Sequence, residues 1–195
     1  MKKIAFATHN NHKLEEIQSI LKNMYHVMGL TELGITEEIP ETADTLEGNA
    51  QMKADYLFDR LGIDCFADDT GLEVEALHGA PGVYSARYAG EHCSFSDNVE
   101  KILKELERIE NRKAQFRTVI CLILNGEKHF FEGIVTGELI KSSRGEKGFG
   151  YDPIFIPNGY SETFAEMPID LKNEISHRGK ATQKLIDFLA KFSGI

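Results

Sequence analysis

The architecture of this chain is clearest in the stretch Phe116-Arg117-Thr118-Val119-Ile120-Cys121-Leu122-Ile123-Leu124-Asn125-Gly126. Its apolar run is almost continuous, which is typical of a central strand that is buried on both faces. Asn-Gly is a strong signal for a type I′ hairpin turn. We therefore predict that the strand turns at Asn125-Gly126 and returns over residues 128–140 as a long hairpin.

Shorter strands and amphipathic helices surround this hairpin in the sequence. Strands are predicted at residues 4–7, 25–30 and 64–67, and helices at residues 13–22, 44–60, 96–109 and 177–192. The helices carry apolar residues at helical spacing, which gives each one a buried stripe. Asp44 followed by Glu47 resembles the cap of the second helix. This mixture predicts an α/β fold with a mixed central sheet.

Composition narrows the class of protein. A chain of 195 residues that is 42% hydrophobic suits one globular domain, residues 1–195, with two lobes. The net charge of −9 argues against a nucleic-acid surface, although a small anion can still bind. No apolar run approaches the roughly 20 residues that span a bilayer, and the first apolar run is too short for a signal peptide. We therefore expect no nucleic-acid or membrane partner.

The cysteines indicate the compartment. Cys65, Cys93 and Cys121 are isolated and odd in number, so neither a disulfide framework nor a zinc site is expected. A reducing cytoplasm fits this usage best.

Two blocks near the C-terminus suggest a pocket for a purine nucleotide. They are Gly148-Phe149-Gly150-Tyr151-Asp152-Pro153 and Ser176-His177-Arg178-Gly179. Glycines let the backbone approach a flat ligand, and the Phe149 ring can stack on a base. His177 and Arg178 supply donors for an oxo group or a phosphate. The alternative is a glycine-rich loop around a buried phenylalanine.

The segment Thr8–Lys13 joins the first strand to the first helix. Unpaired N–H groups and the positive end of the helix dipole meet there, which suits a phosphate. Thr8, Asn10 and Lys13 add donors to this cradle. The alternative is a simple helix cap beside a solvated lysine, and we assign no chemistry to His9 or His12.

Asp68-Asp69 follows the predicted strand 64–67 and suggests a metal site. Adjacent carboxylates at a strand end point in different directions, so one can face a ligand while the other holds the structure. Carboxylate oxygens suit Mg²⁺, which takes one or two of them together with phosphates and waters. Glu41 is a plausible second acid. Glu37, Glu38 and Asp44 lie close by in the sequence, so composition alone does not select Glu41. The alternative to a metal site is a structural turn rich in Asp and Gly.

Two further features of the sequence are interpreted as structural and not as parts of a site. The segment 79–90, with Gly79-Ala80-Pro81-Gly82, predicts a stiff turn in which Arg87 is a possible contact. Asn49 and Lys53 share one helix face at spacing i, i+4. That face is expected to be solvated unless it borders the metal site.

Taken together, these blocks resemble the inosine triphosphate pyrophosphatase family almost from end to end. The matching motifs, in chain order, are Thr8-x-Asn10-x-x-Lys13, Glu41-Thr42, Asn49-Ala50-x-x-Lys53-Ala54, Ala67-Asp68-Asp69-Thr70-Gly71-Leu72, Gly79-Ala80-Pro81-Gly82-x-Tyr84-Ser85-Ala86-Arg87, Gly148-Phe149-Gly150-Tyr151-Asp152-Pro153-x-Phe155, Lys172 and Ile175-Ser176-His177-Arg178-Gly179. Several ordered blocks make this a specific resemblance.

The resemblance implies a Mg²⁺-dependent hydrolase that converts ITP, dITP and XTP to the monophosphate and pyrophosphate. It also implies an elongated mixed sheet with flanking helices that form two lobes around a central cleft, and a homodimer. Asp69 is then the proton acceptor and, with Glu41, a metal ligand. The implied substrate contacts are Thr8, His9, Asn10, Asn11, His12, Lys13, Lys53, Thr70, Phe149, Gly150, Tyr151, Asp152, Lys172, His177 and Arg178.

Within this reading the side chains divide by chemistry. Lys13, Lys53 and Lys172 are predicted to serve the phosphates, because an ammonium group is a compact point charge. His177 and Arg178 are predicted to donate to the 6-oxo group, which would exclude the 6-amino group of ATP.

The chain departs from its relatives at three positions. It has His9 where relatives often have Gly, Leu46 where they often have Phe, and Gly48 where they often have Glu. Neighbouring Glu47 can supply the acid that is missing at position 48. Two other functions remain as alternatives, a Maf-like nucleotide pyrophosphatase and a nucleotide sensor without turnover. The Phe-Gly-Tyr-Asp-Pro block disfavours the first, and the acids and lysines disfavour the second.

Overall fold

The computed structural model describes residues 2–21 and 24–193. Its strands are β1 (Lys2–Phe6), β2 (Tyr25–Met28), β3 (Cys65–Val74), β4 (Lys113–Leu124), β5 (Glu127–Leu139) and β6 (Phe155–Pro157). Its α-helices are α1 (Asn11–Leu21), α2 (Leu46–Leu61), α3 (Phe95–Glu105), α4 (Ile169–Ile175) and α5 (His177–Ser193). Short 3₁₀ helices cover Glu75–Leu77, Gly82–Arg87 and Asp152–Ile154.

The six strands form a sheet in the order β2-β1-β3-β4-β5-β6. β1 pairs in parallel with β2 and β3, whereas β6 pairs antiparallel with β5. The predicted mixed α/β fold is therefore confirmed. Asn125 and Gly126 have φ values of 52° and 82°, and a type I′ turn needs positive φ at both positions. The predicted hairpin between β4 and β5 is confirmed as well.

The chain divides into two compact units. The first unit consists of Met1–Asp69, Thr118–Gly133 and His177–Ile195, and the second unit consists of Thr70–Arg117 and Ile134–Ser176. None of the described helices is long and apolar enough to cross a membrane.

In the first unit, β4 is buried on both faces, as its sequence predicts. Ile120 and Leu122 pack in a cluster with apolar side chains of α1 and α5. Cys121 and Ile123 pack in a second cluster with apolar side chains of α2. Successive side chains of a strand alternate between its faces, so the continuous apolar run reflects two separate cores.

In the second unit, the core is built around aromatic rings. Phe116 contacts Phe155 in an edge-on arrangement with centroids 4.8 Å apart, and Phe155 contacts Phe164 at 5.3 Å. Val99 and Ile102 of α3 belong to the same buried cluster. This packing anchors α3 to the sheet.

The two largest errors among the predicted boundaries are at the ends of β3 and α3. β3 does not end at Ala67 but continues to Val74, because buried cations and an amide compensate its polar side chains. α3 ends at Glu105 rather than at residue 109, although Leu106 remains buried beyond its end. The predicted end of α1 at Lys22 lies outside the described residues. β6 and α4 were not predicted, since both are too short to show a period.

The cap of α2 is Thr45 and not Asp44. Thr45 has extended backbone, and its hydroxyl accepts a hydrogen bond of 3.0 Å from the Gly48 amide. That is the geometry of an N-cap. A Cβ added to Gly48 would lie 2.6 Å from the Ala43 Cβ. An acid at position 48 therefore requires the preceding loop to move.

Candidate active site

β3 presents two neighbouring carboxylates to opposite faces of the sheet. Phe66 packs with the side chains of α1 and α5, whereas Ala67 packs with those of α2. Because side chains alternate along a strand, Asp68 lies on the side of α1 and α5 and Asp69 on the side of α2. The prediction that the two acids diverge is confirmed, but they lie within the strand and not at its end.

Asp68 is the centre of a buried ion-pair network in the first unit. Lys13 Nζ lies 2.9 Å from its Oδ1, and Arg178 Nε lies 3.3 Å from its Oδ2. Arg178 also forms an ion pair with Glu16. Burial opposes ionisation of Asp68, but Lys13 and Arg178 hold its pKa well below the usual range. Asp68 is therefore a permanent anion that holds the structure.

Asp69 has different surroundings. Asn49 Nδ2 donates a hydrogen bond of 3.0 Å to its Oδ2, and Lys53 Nζ lies 3.9 Å from its Oδ1. Burial raises the pKa of Asp69 above its usual value, although Lys53 and Lys13 act in the opposite direction. A carboxylate whose pKa is raised is a better proton acceptor than an ordinary one. Of the two acids, Asp69 is the one suited to that chemistry.

Lys53 connects Asp69 to Glu41. Its ammonium group forms an ion pair with Glu41. Although burial opposes its charge, Glu41 and Asp69 raise the pKa of Lys53. Glu37, in contrast, accepts a hydrogen bond of 2.7 Å from the Tyr56 hydroxyl. The structure thus selects Glu41 over Glu37 as the acid that shares a cation with Asp69.

The face of α2 that carries Asn49 and Lys53 is not solvated. Asn49 is 0% exposed and Lys53 is 7% exposed. The default expectation of a solvated face is therefore wrong, because this face borders Asp69. The sequence analysis assigned no role to Asn49, although its side chain contacts Asp69, and its i, i+4 spacing from Lys53 was the available signal.

The segment Thr8–Lys13 forms a helix cap. Asn10 Oδ1 accepts hydrogen bonds from the amides of His12 and Lys13 at 3.0 Å and 3.2 Å. Thr8 Oγ1 accepts a bond of 3.1 Å from the Asn10 amide. Lys13 is not a solvated lysine, because it pairs with buried Asp68. His9 Nε2 donates to the Glu37 carbonyl at 2.9 Å and so ties this segment to the acidic loop.

In the second unit, Phe149 stands in a loop between two glycines of positive φ, Gly148 at 74° and Gly150 at 64°. Asp152 Oδ2 accepts hydrogen bonds from the Phe149 amide at 2.8 Å and from Lys172 Nζ at 2.7 Å. The Lys172 ammonium lies over the Phe149 ring, 5.3 Å from its centroid. Lys172 is thus grouped with the predicted base-stacking ring, whereas Lys13 and Lys53 are grouped with the acids of the first unit.

The contacts of the segment 79–90 are structural, as its sequence predicts. Ser85 Oγ accepts a hydrogen bond of 2.9 Å from the Leu72 amide and donates one of 2.6 Å to the Gly82 carbonyl. The Tyr151 hydroxyl donates to the Ser85 carbonyl at 2.8 Å. Arg87 lies over the Tyr84 ring at 5.3 Å. These contacts fix the segment beside β3.

The donors in the first unit fit a magnesium ion. Among the described residues, no three His, Cys, Asp or Glu side chains form a group that could hold a metal. Mg²⁺ does not need such a cage, since it is commonly bound by one or two carboxylates together with waters and phosphates of a substrate. Glu41 and Asp69, which both contact Lys53, are two such carboxylates.

Comparison with known proteins identifies the family. The sequence model of the Ham1 family matches residues 4–188. This chain belongs to the Ham1 family. A protein of Porphyromonas gingivalis named dITP/XTP pyrophosphatase is 56% identical over 190 residues, which cover 97% of this chain and 98% of the relative. A protein of Flavobacterium johnsoniae with the same name is 55% identical over 187 residues, covering 96% and 97% of the two chains.

Solved Ham1 structures share the fold. The Ham1 protein of Staphylococcus aureus superimposes with a TM-score of 0.87 at 41% identity and covers 97% of this chain and 99% of its own. The Ham1 protein of Coxiella burnetii superimposes with a TM-score of 0.89 at 37% identity and covers 98% and 100%. The resemblance predicted from the sequence motifs is therefore confirmed.

The sequence-predicted residues of this Ham1 protein are distributed over both units. The first unit contains Thr8, His9, Asn10, Asn11, His12, Lys13, Glu41, Lys53, Asp69, His177 and Arg178. The second unit contains Thr70, Phe149, Gly150, Tyr151, Asp152 and Lys172. His177 and Arg178 are buried, and Arg178 is held by two acids. Their predicted contact with a base remains a prediction.

Proposed function

We propose that this Ham1 protein hydrolyses ITP, dITP and XTP to the nucleoside monophosphate and pyrophosphate, and so removes these nucleotides from the cellular pool. The observation that carries the proposal is the environment of Asp69, a buried carboxylate oriented by Asn49 and adjacent to the Lys53–Glu41 pair. The names of the relatives, which match nearly the whole chain, support the choice of substrate.

In the proposed reaction, water attacks the α-phosphorus of the nucleotide. A bond forms from the water oxygen to phosphorus, and the bond from the α-phosphorus to the α,β-bridging oxygen breaks. Asp69 accepts the proton of the water, and pyrophosphate leaves with the bridging oxygen. Lys13 and Lys53 would neutralise phosphate charge, which is the main contribution that proteins make to phosphoryl transfer.

The proposed cofactor is Mg²⁺, with Glu41 and Asp69 as its protein ligands. When bound, the ion would neutralise negative charge on the phosphate oxygens. The support is the chemistry of this donor pair, which consists of two carboxylates that share one cation, Lys53.

In the second unit, the Phe149 ring is proposed to stack on the purine base. Stacking of a base on an aromatic ring contributes about 1–3 kcal/mol and does not discriminate among bases. Discrimination against ATP then requires donors at the 6-oxo position, for which His177 and Arg178 are the candidates.

Release of pyrophosphate from ITP, dITP, XTP, GTP and ATP tests the proposal. We expect turnover of the first three with Mg²⁺, much slower turnover of GTP and ATP, and loss of all turnover in EDTA. Binding of ITP without release of pyrophosphate would reject the proposal in favour of a sensor. Retained turnover after exhaustive chelation would reject the metal.

We also propose a cytoplasmic homodimer. The three cysteines are free thiols, which suits a reducing compartment. Sedimentation equilibrium tests the dimer, and a monomeric mass at micromolar concentration would contradict it.

A further inference from the structure

Phe149 depends on its contacts for its orientation. It lies between two glycines of positive φ, and glycine restrains a backbone less than any other residue. A ring that stacks on a base must nevertheless be held in one plane. The side chains that surround Phe149 therefore decide how well it can bind a base.

Two of these contacts come from the predicted site itself. Asp152 holds the Phe149 amide at 2.8 Å. The Lys172 ammonium lies over the ring, 5.3 Å from its centroid, which is within the range of a cation–π interaction. Both contacts come from side chains that were singled out in the sequence.

A third contact comes from a residue that neither the sequence motifs nor the proposed reaction includes. The ring of Phe95, the first residue of α3, has its centroid 5.9 Å from that of Phe149, with 45° between the two planes. This distance lies within the range of attractive aromatic pairs. Phe95 is 44% exposed, so burial in the core does not account for its position.

The first turn of α3, which carries Phe95, is fixed by several hydrogen bonds. Ser94 and Asp97 form a capping box at the start of α3. Asn98, which is 2% exposed, donates a hydrogen bond of 3.1 Å to the Ala86 carbonyl and accepts one of 2.7 Å from the Ala89 amide. The first turn of α3 is thereby tied to the segment 79–90. A ring on this turn can restrain a neighbouring ring that is flanked by glycines.

We infer that Phe95 is a positioning residue that holds the Phe149 ring in its base-stacking orientation. The inference rests on the proposed function, since it deepens the role of Phe149 as the stacking ring. Phe95 acts on the binding of the purine and not on bond cleavage. Its loss should therefore raise KM for every purine triphosphate and leave kcat unchanged.

A double-mutant cycle with Phe95→Ala, Phe149→Ala and the double variant tests this inference. We expect Phe95→Ala to raise KM for ITP by about 3–10-fold, the scale of one aromatic pair. In the Phe149→Ala background the same change should have no further effect. Phe95→Tyr keeps the ring and should restore the parental KM.

The controls separate positioning from general damage. Phe130→Ala removes a phenylalanine of similar exposure, 46%, from β5 in the first unit, and it should leave KM unchanged. Inhibition by inorganic tripolyphosphate, which has no base, should be the same for Phe95→Ala and the parent. Thermal unfolding of each variant reports whether the fold is intact.

Three outcomes would overturn the inference. They are an unchanged KM in Phe95→Ala, an undiminished effect of Phe95→Ala in the Phe149→Ala background, and a parallel loss of tripolyphosphate inhibition. The second outcome would mean that Phe95 contacts the base directly. If the parent releases no pyrophosphate from ITP, the proposed function fails, and the same cycle is read from the dissociation constant of ITP by calorimetry.

Discussion

Asn49 Nδ2 donates a hydrogen bond of 3.0 Å to Asp69 Oδ2 in the interior of the first unit. The other end of the same amide accepts a hydrogen bond of 2.9 Å from the Ala43 backbone N–H. The orientation of Asn49 is thereby determined, because its oxygen is already engaged and only its NH₂ group can face Asp69. One side chain thus joins the loop that carries Glu41 to the Asp69 carboxylate in β3.

Replacing Asn49 should impair catalysis without unfolding the protein. We expect Asn49→Ala to lower kcat/KM for ITP by about 10–100-fold, the usual effect of removing a hydrogen bond that orients a catalytic ligand. Asn111→Ala is the matched control, because Asn111 donates a similar bond of 3.0 Å to exposed Glu75. Equal activity of the two variants would show that the orientation of Asp69 does not depend on Asn49.

The adjacent acids Asp68 and Asp69 should respond differently to the same substitution. Asp69→Asn keeps the shape but removes the charge and the proton acceptor, so we expect kcat to fall by at least about 10²-fold. Thermal unfolding should change little. Pyrophosphate release at the parental rate would refute the assignment of Asp69.

Asp68→Asn should act mainly on stability. It leaves Lys13 and Arg178 buried beside a neutral amide, and breaking a buried ion pair costs about 3–5 kcal/mol. Urea unfolding measures this loss. A free energy of unfolding equal to that of the parent would mean that solvent or another acid compensates the two cations.

Arg178 has a structural role besides its predicted contact with the base. Because Glu16 and Asp68 hold its guanidinium, Arg178→Ala should lower the free energy of unfolding by about 3–5 kcal/mol. The sequence also predicts a fall of roughly 10–100-fold in kcat/KM for ITP and a narrower ITP/ATP ratio. Glu16→Gln is the control that weakens the same network. If the ratio of kcat/KM for ITP to kcat/KM for ATP in Arg178→Ala stays at the parental value, Arg178 does not recognise the base.

The three lysines should separate into two groups, although the sequence reading assigned all of them to phosphates. Lys172 pairs with Asp152 and lies over Phe149, so Lys172→Ala should raise KM for purine triphosphates and spare inhibition by tripolyphosphate. Lys13→Ala and Lys53→Ala should raise KM for purine triphosphates and also weaken inhibition by tripolyphosphate. Inhibition constants for tripolyphosphate decide the matter. If Lys172→Ala weakens inhibition as much as Lys13→Ala, Lys172 serves the phosphates after all.

Glu37 lies in the same loop as Glu41, and its titration should make the stability of the protein depend on pH. A hydrogen bond from Tyr56 lowers the pKa of Glu37 to about 2, with Arg60 contributing. The unfolded value is about 4.3, so the folded state favours the ionised form. The resulting stability is present above about pH 4.3 and is lost as the pH falls towards 2.

Urea unfolding between about pH 2 and pH 6 measures this dependence. The difference in free energy between the parent and Glu37→Gln should be present at pH 6 and vanish near pH 2. Tyr56→Phe removes the first cause of the shift and should reduce the pH dependence. A difference that stays constant over the whole range would show that Glu37 is not the titrating group.

Much of the architecture was predictable because it follows from local patterns. The apolar run 116–124 and the Asn125-Gly126 pair predict the central hairpin, since burial and turn chemistry act on neighbouring residues. Short elements such as β6 escaped prediction because three residues show no period. The motifs also predicted roles for Asp69 and Lys53, but no role was predicted for Asn49 because an amide on a helix is usually solvated.

The chemistry of each acid could not be read from composition, since Asp68 and Asp69 are adjacent and identical in type. Their roles differ because β3 continues through both, and alternation of its side chains directs Asp68 towards two cations and Asp69 towards an amide. The choice of Glu41 over Glu37 depends in the same way on which side chains lie beside Lys53 and Tyr56. Local sequence was sufficient for the longer elements and the family motifs. Long-range packing was needed to assign the partners, because burial and charge are properties of neighbours that are distant along the chain.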